Sequence, residues 1–316
     1  MRPLGAGVDA FWRRTALPGR EVFADEDRHY ARCVWLMRSI YAIAVYHTIQ
    51  IGFVESHLDH ATGTLRWPVL WLHWVPWAPA VAVLKIGSLA TAGIGILFPY
   101  TRFLRVAAFL FVFETTALIP ATGTQHHAYT MLTFVFFFAL LPAGMQEKPA
   151  PDVRHRVLLL VWGALACVLL TYSMAGFMKV WGITEAVLRG DRFVLDFTRV
   201  PGHFLWGAYA YERPPVLAEW LIDHPRLASV SMWLAYYAEL VSLAVAFRPN
   251  LQRWWFLALA GFHIGTMLSV DIIFVQATLV QLALFATAPF SRPGLDVRAT
   301  LREIPGLGAL FAAVFR

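Results

Sequence analysis

Lys179, His127, His263, Glu114, Lys85 and Asp271 are titratable side chains set within, or at the ends of, long apolar runs of the chain. An ionisable group inside a membrane span costs about 2.5–3.5 kcal/mol on insertion scales, so each such residue is a candidate for chemistry. A lysine can serve as a base there because removal from water favours its neutral form. Plainer readings stand beside this one. Lys179, at the outer end of a span, can simply snorkel its ammonium to the headgroups. His127, next to His126 in TGTQHHAY, can be an exposed loop histidine. Glu114 and Lys85 are expected to form an ion pair between neighbouring helices, and Asp271 to cap the helix that follows it. Glu239 is more central in its run and needs a partner that the sequence does not identify. Arg38 is expected to snorkel or to tie its helix to a neighbour. The eleven histidines include His57, His60, His73, His126 and His127, but none forms the acid-containing i, i+4 pattern of a helical zinc enzyme, so no metal is expected. Ser173 lies inside an apolar run with no Gly-x-Ser-x-Gly elbow, which argues against a serine nucleophile. Cys33 and Cys167 read as small hydrophobes.

The elements that must carry these residues are membrane helices. The 316 residues are 59% hydrophobic and 15% charged, with a mean hydropathy of +0.58, too apolar for a soluble domain of this length. The formal charge of +6 is spread singly or in pairs between apolar runs, which argues for topology signals and against nucleic-acid binding. With about 20 apolar residues needed per span, the expected fold is all-α: a polytopic helical bundle of about eight transmembrane helices near 33–54, 79–98, 102–120, 127–143, 156–178, 227–247, 252–270 and 271–288. The fourth and the last two are short. Every alternate connection is basic (Arg13, Arg14, Arg102, Arg105, Arg154, Arg156, Arg248, Arg253, Arg292, Arg298), which places both termini in the cytoplasm. The partition is a cytoplasmic segment 1–32, a transmembrane domain 33–290 with outer loops 55–78 and 179–226, and a cytoplasmic amphipathic tail 291–316. No removable signal peptide is expected. On this topology the titratable groups named first gather in the outer leaflet. Segments 67–79 and 201–225, rich in Trp, Pro, Tyr and His, have the character of interfacial lids.

QHHAY at 125–129, YSMAGFMKVWG at 172–182 and GFHIGTMLSVDIIF at 261–274, with Glu239 before the last, resemble in order and spacing the transmembrane domain of the vitamin K-dependent gamma-carboxylase (HTTM) family. LMRSIYA at 36–42 is similar to the start of the family's first span, and the likeness extends over roughly residues 30–290. The resemblance implies that Lys179 is the catalytic base that deprotonates a membrane quinol, with His127 and His263 in the same site. It further implies quinol-binding positions at Tyr172, Gly176, Trp181, His126 and Tyr129. The cofactor implied is reduced vitamin K or a menaquinol-type quinol, with oxygen and carbon dioxide as co-substrates and a glutamyl peptide or protein as acceptor. The expected setting is the inner membrane of a bacterium, with the site towards the extracytoplasmic side. Two departures stand out. Met178 occupies the place of a second lysine in the family's carboxylases, and their large extracytoplasmic C-terminal region has no counterpart here. A small partner subunit is one expected substitute. The rival expectations are a non-catalytic subunit of a peptide-maturation or export system, and a quinone oxidoreductase without a protein substrate.

Overall fold

The structure is a computed structural model and describes residues 25–54, 69–121, 128–190, 215–272, 274–294 and 296–314. Every regular element among them is helical: α1 (Glu26–Val54), a 3-10 helix (Val69–Trp74), α2 (Trp77–Leu97), α3 (Arg102–Ala121), α4 (Tyr129–Leu140), α5 (Pro151–Leu188), α6 (Ala218–Asp223), α7 (Pro225–Val245), α8 (Gln252–Val270), α9 (Val275–Thr287), α10 (Val297–Arg302) and α11 (Gly308–Val314). Three of them, α2, α5 and α7, are long and apolar enough to cross a membrane. Helices α4 and α9 are apolar but have 12 and 13 residues. At 1.5 Å per residue each is about 20 Å long, short of a hydrocarbon core of about 30 Å. The described residues divide into two compact units: those up to Leu165 with Leu282–Phe290, and those of Ala166–Gln281 with those from Ser291 onward.

In the first unit α1 packs on α2, α2 on α3, and α3 on α4. Arg105, in the first turn of α3, is almost wholly buried. Its Nε donates to the carbonyl of Phe138 at 3.0 Å, Nη1 to those of Pro99 and Tyr100, and Nη2 to those of Leu141 and Pro142 at 2.9 and 3.0 Å. Phe138 and Leu141 lie at the C-terminal end of α4, where carbonyls lack helical partners and carry partial negative charge, and Pro99, Tyr100 and Pro142 lie just past the ends of α2 and α4, so one guanidinium serves both turns. Read from sequence as a loop residue, Arg105 is therefore a structural clamp. Helix α1 begins at Glu26, earlier than the expected start of its span at 33. Glu26 and Asp27 pair with Arg154 on α5, Tyr30 donates to the carbonyl of Gln146 at 2.8 Å, and His29 Nδ1–H donates to that of Pro289 at 2.6 Å. Burial holds the His29 imidazole below its ordinary pKa of 6.5 and pushes the Tyr30 phenol up to about 12.

In the second unit, Ala218 and Leu221 of α6 form a small core with Ala228 of α7, with Met232 and Val270 packed against it. Leu217 N–H donates to the carbonyl of Leu268 at 2.9 Å, so this end of the expected loop 179–226 is fastened to α8. The start of that loop is helical as well, since α5 runs on to Leu188. Gly190, at φ 87°, supplies the left-handed residue that ends it. The tail is two short helices around Gly306, which has φ 75°. Glu303 accepts from Asn250 N–H, Leu251 N–H and Asn250 Nδ2, which sets a carboxylate at the N-terminus of α8.

Candidate functional site

Along α5, Tyr172, Gly176 and Lys179 recur at i, i+4 and i+7 and share one face. Gly176 is what lets that face meet α7. A Cβ on it would lie 2.4 Å from the Leu240 backbone nitrogen and 2.9 Å from the Glu239 carbonyl carbon, so the two backbones touch there. One turn earlier, Ser173 Oγ accepts from Leu243 N–H at 2.8 Å and fixes the register of the pair. One turn later the same crossing sets Lys179 against Glu239.

Lys179 Nζ donates to Glu239 Oε1 at 2.6 Å and to Oε2 at 2.5 Å. The Glu239 side chain is 6% exposed and that of Lys179 41%, so the carboxylate is the inner member of the pair. The ammonium also lies 5.5 Å from the ring centroid of Tyr236 and 5.9 Å from that of Phe262, within cation–π range of both. Beside it is a second polar chain. Gln281 Nε2, from α9, donates to Tyr172 Oη at 3.0 Å, and Tyr172 Oη lies 2.5 Å from His263 Nε2 on α8. With Gln281 donating to the phenol oxygen, its single hydrogen can go to His263 Nε2, or Nε2–H can donate to the phenol oxygen, according to the imidazole tautomer. The imidazole is enclosed by Tyr172, Phe262 and Phe274, with ring centroids at 5.6, 5.1 and 4.8 Å.

Comparison with protein-family models, curated proteins and solved structures finds no match to this chain.

Of the residues expected to act, the structure brings together Lys179, His263, Tyr172 and Gly176, all in the second unit. His126 and His127 lie outside the described residues. Tyr129 opens α4 in the first unit and is exposed. Trp181 stacks on Phe177 at 6.3 Å, on the face of α5 turned away from Lys179 together with exposed Met174 and Met178. Asp271 ends α8 in the left-handed conformation, φ 55° and ψ 28°, and so is a C-cap rather than the expected cap of the next helix. Three intervening positions before α9 begins at Val275 put its carboxylate out of N-cap register. Glu114 accepts from Trp71 Nε1 at 3.0 Å, and Arg38 lies 5.0 Å over the ring of Trp35. The described part of segment 67–79 belongs to the first unit, where Val69 and Leu72 pack with Val81 and Leu118. Of segment 201–225, residues 201–214 lie outside the described residues.

Sequence reasoning left Glu239 without a partner and weighed Ser173 only as a rejected nucleophile; Gln281, Tyr236 and Phe262 were not singled out. One signal was available for Gln281: a lone amide in the apolar run VQLALFA has to face other polar groups.

Proposed function

We propose that the chain is a membrane-embedded quinol-dependent enzyme related in mechanism to the vitamin K-dependent gamma-carboxylases, with Lys179 as the base. The observation that carries this reading is the meeting of two motif segments far apart in the chain: Tyr172 of YSMAGFMKVWG bonds His263 of GFHIGTMLSVDIIF at 2.5 Å, in the unit that holds Lys179. In the proposed reaction Lys179 takes the proton of a quinol hydroxyl, and His263 with Tyr172 orients the ring and moves protons at its edge. Fully buried Gln281 has an Oε1 with no hydrogen-bond partner among the described residues, an acceptor suited to a ligand hydroxyl. When bound, the quinol would supply the reducing equivalents with which oxygen generates a strong base, so that a glutamyl γ-carbon could add carbon dioxide. Gly176 sets the helix spacing, and the roles proposed for His126, His127, Tyr129 and Trp181 rest on the motif resemblance alone. The proposal includes about eight spans, cytoplasmic termini, a bacterial inner membrane, an extracytoplasmic site, and a peptide or a small partner subunit.

The test is incorporation of labelled bicarbonate into glutamyl peptides by membranes supplied with reduced quinone. Lys179→Ala is expected to lower product by at least about a hundred-fold while the protein still inserts and folds. Full activity of the purified variant would sink the assignment. Quinol oxidation indifferent to added peptide would point to an oxidoreductase. A second reading has one observation in its favour: the Lys179–Glu239 pair by itself suffices to tie α5 to α7, as in a non-catalytic membrane subunit. That reading predicts that Lys179→Ala changes stability and no product.

A further inference from the structure

The partner of Lys179 decides what the site can accept. A lysine with no counter-ion is a site for anions. Here the ammonium is gripped by both oxygens of a carboxylate that is itself buried, so the pair as a whole carries no net charge. The ring faces of Tyr236 and Phe262 lie over it, and the phenol of Tyr172, bonded to His263 and Gln281, lies within electrostatic range of Glu239. Tyr172 and Tyr236 both lie within electrostatic range of Glu239, and neither brings a positive charge. An anionic ligand arriving at Lys179 would therefore compete with the Glu239 carboxylate for the same ammonium.

We infer that Lys179 and Glu239 act as one proton-accepting dyad, with Glu239 as the final holder of the proton, and that the site is built for a neutral, weakly acidic hydroxyl compound and against a carboxylate. This rests on the reading of Lys179 as the base and names what completes it. The step balances without any further reagent. At rest the pair is ammonium and carboxylate. The ammonium gives one proton to Glu239, leaving a neutral amine and a neutral carboxylic acid. The amine then takes the proton of the substrate O–H; that bond breaks, its electron pair stays on the substrate oxygen, and the N–H bond forms. The result is a substrate oxyanion against the Lys179 ammonium, with Glu239 protonated. The total charge is the same before and after, so no net charge is created in an apolar setting, where an uncompensated one is costly. Glu239 is placed to hold the proton because both its oxygens lie within hydrogen-bond distance of Lys179 Nζ.

The test is a change of ligand selectivity on one substitution, read by equilibrium binding to the full chain in neutral-lipid nanodiscs with two probes of the same apolar body, para-heptylphenol and para-heptylbenzoate. Wild-type protein is expected to bind the phenol and to exclude the benzoate by about ten-fold or more. Glu239→Gln keeps the shape and leaves the ammonium uncompensated, so the preference is expected to invert in favour of the benzoate. In the same variant trinitrobenzenesulfonate, with the modified residue located by mass spectrometry, is expected to label Lys179 several-fold faster. Glu239→Asp should retain the wild-type preference. Equal or tighter binding of the benzoate by wild-type protein overturns the inference, as does a Glu239→Gln protein that folds and keeps both the wild-type preference and the wild-type labelling rate. Should Glu239→Gln not fold, the wild-type selectivity decides alone. These readings need no turnover, so a protein that selects the phenol but consumes no quinol would refute the proposed reaction and leave the dyad standing.

Discussion

Arg105 in the first unit and Lys179 in the second are both cations in apolar surroundings, and they are held in opposite ways. Arg105 is almost wholly buried and uses all five of its N–H donors on backbone carbonyls of Pro99, Tyr100, Phe138, Leu141 and Pro142. None of those acceptors can titrate, so its environment has one state. Lys179 is partly exposed and shares its ammonium with a single carboxylate, a group that can itself accept a proton. A cation saturated by carbonyls is a fastening. A cation facing a titratable partner beside a Tyr–His–Gln chain has somewhere to send a proton.

That contrast can be broken from either side. The largest effect on stability is expected at Arg105. Truncation to Ala would strand the carbonyls of five residues, three in buried bonds and two in part-buried ones, each buried one worth about 1–3 kcal/mol when left unmade, so a loss of more than about 3 kcal/mol, or failure to accumulate folded protein, is expected in detergent unfolding experiments. A fully stable Arg105→Ala would remove the distinction between the two cations. Next is Gly176→Ala, where the new Cβ meets backbone that has no flexible end to move aside. Separation of α5 from α7 is expected to cost about 1–3 kcal/mol in thermal unfolding and to raise labelling of Lys179 by freeing it from Glu239. Tyr172→Phe then sharpens the comparison, since it deletes one hydroxyl and strands His263 Nε2 and Gln281 Nε2. A stability loss of about 1–3 kcal/mol is expected, with a fall in turnover beyond what the loss of folded protein explains.

The smallest expected effect lies at the base of α1. Burial lowers the pKa of His29 in the folded protein, while the unfolded chain titrates near 6.5. Between those values the unfolded state binds more protons, so stability is full above about pH 6.5 and declines as pH falls towards the folded value. A drop of about 2 °C in melting temperature across that interval is expected, and His29→Gln should flatten it. An equal slope in the variant would assign the acid sensitivity to other groups.

The all-helical fold was legible from hydropathy, and the motifs singled out Lys179, Tyr172 and His263, which the structure places in one unit. Boundaries were less so. Helix α5 passes well beyond 178, with a Glu185–Arg189 pair near its end and Gly190 terminating it, although Gly182, Thr184 and Val187 are weak helix formers. Arg102 and Arg105 look alike in sequence, yet only one enters the interior; which one does depends on where the ends of α2 and α4 fall, a fact of tertiary packing. The Lys179–Glu239 pair spans 60 positions, and no local spacing rule relates residues on helices whose contact is decided by a glycine.

Gly176 also bears on how such a site can change over generations. With backbone against backbone at that crossing, a larger residue there demands a compensating shift in α7, and rotating α5 by one position would replace Lys179 with Met178 or Val180. Descendants of this chain are thus expected to exchange Lys179 and Glu239 together or not at all, with glycine three places before the lysine as the mark of lineages that keep the pair.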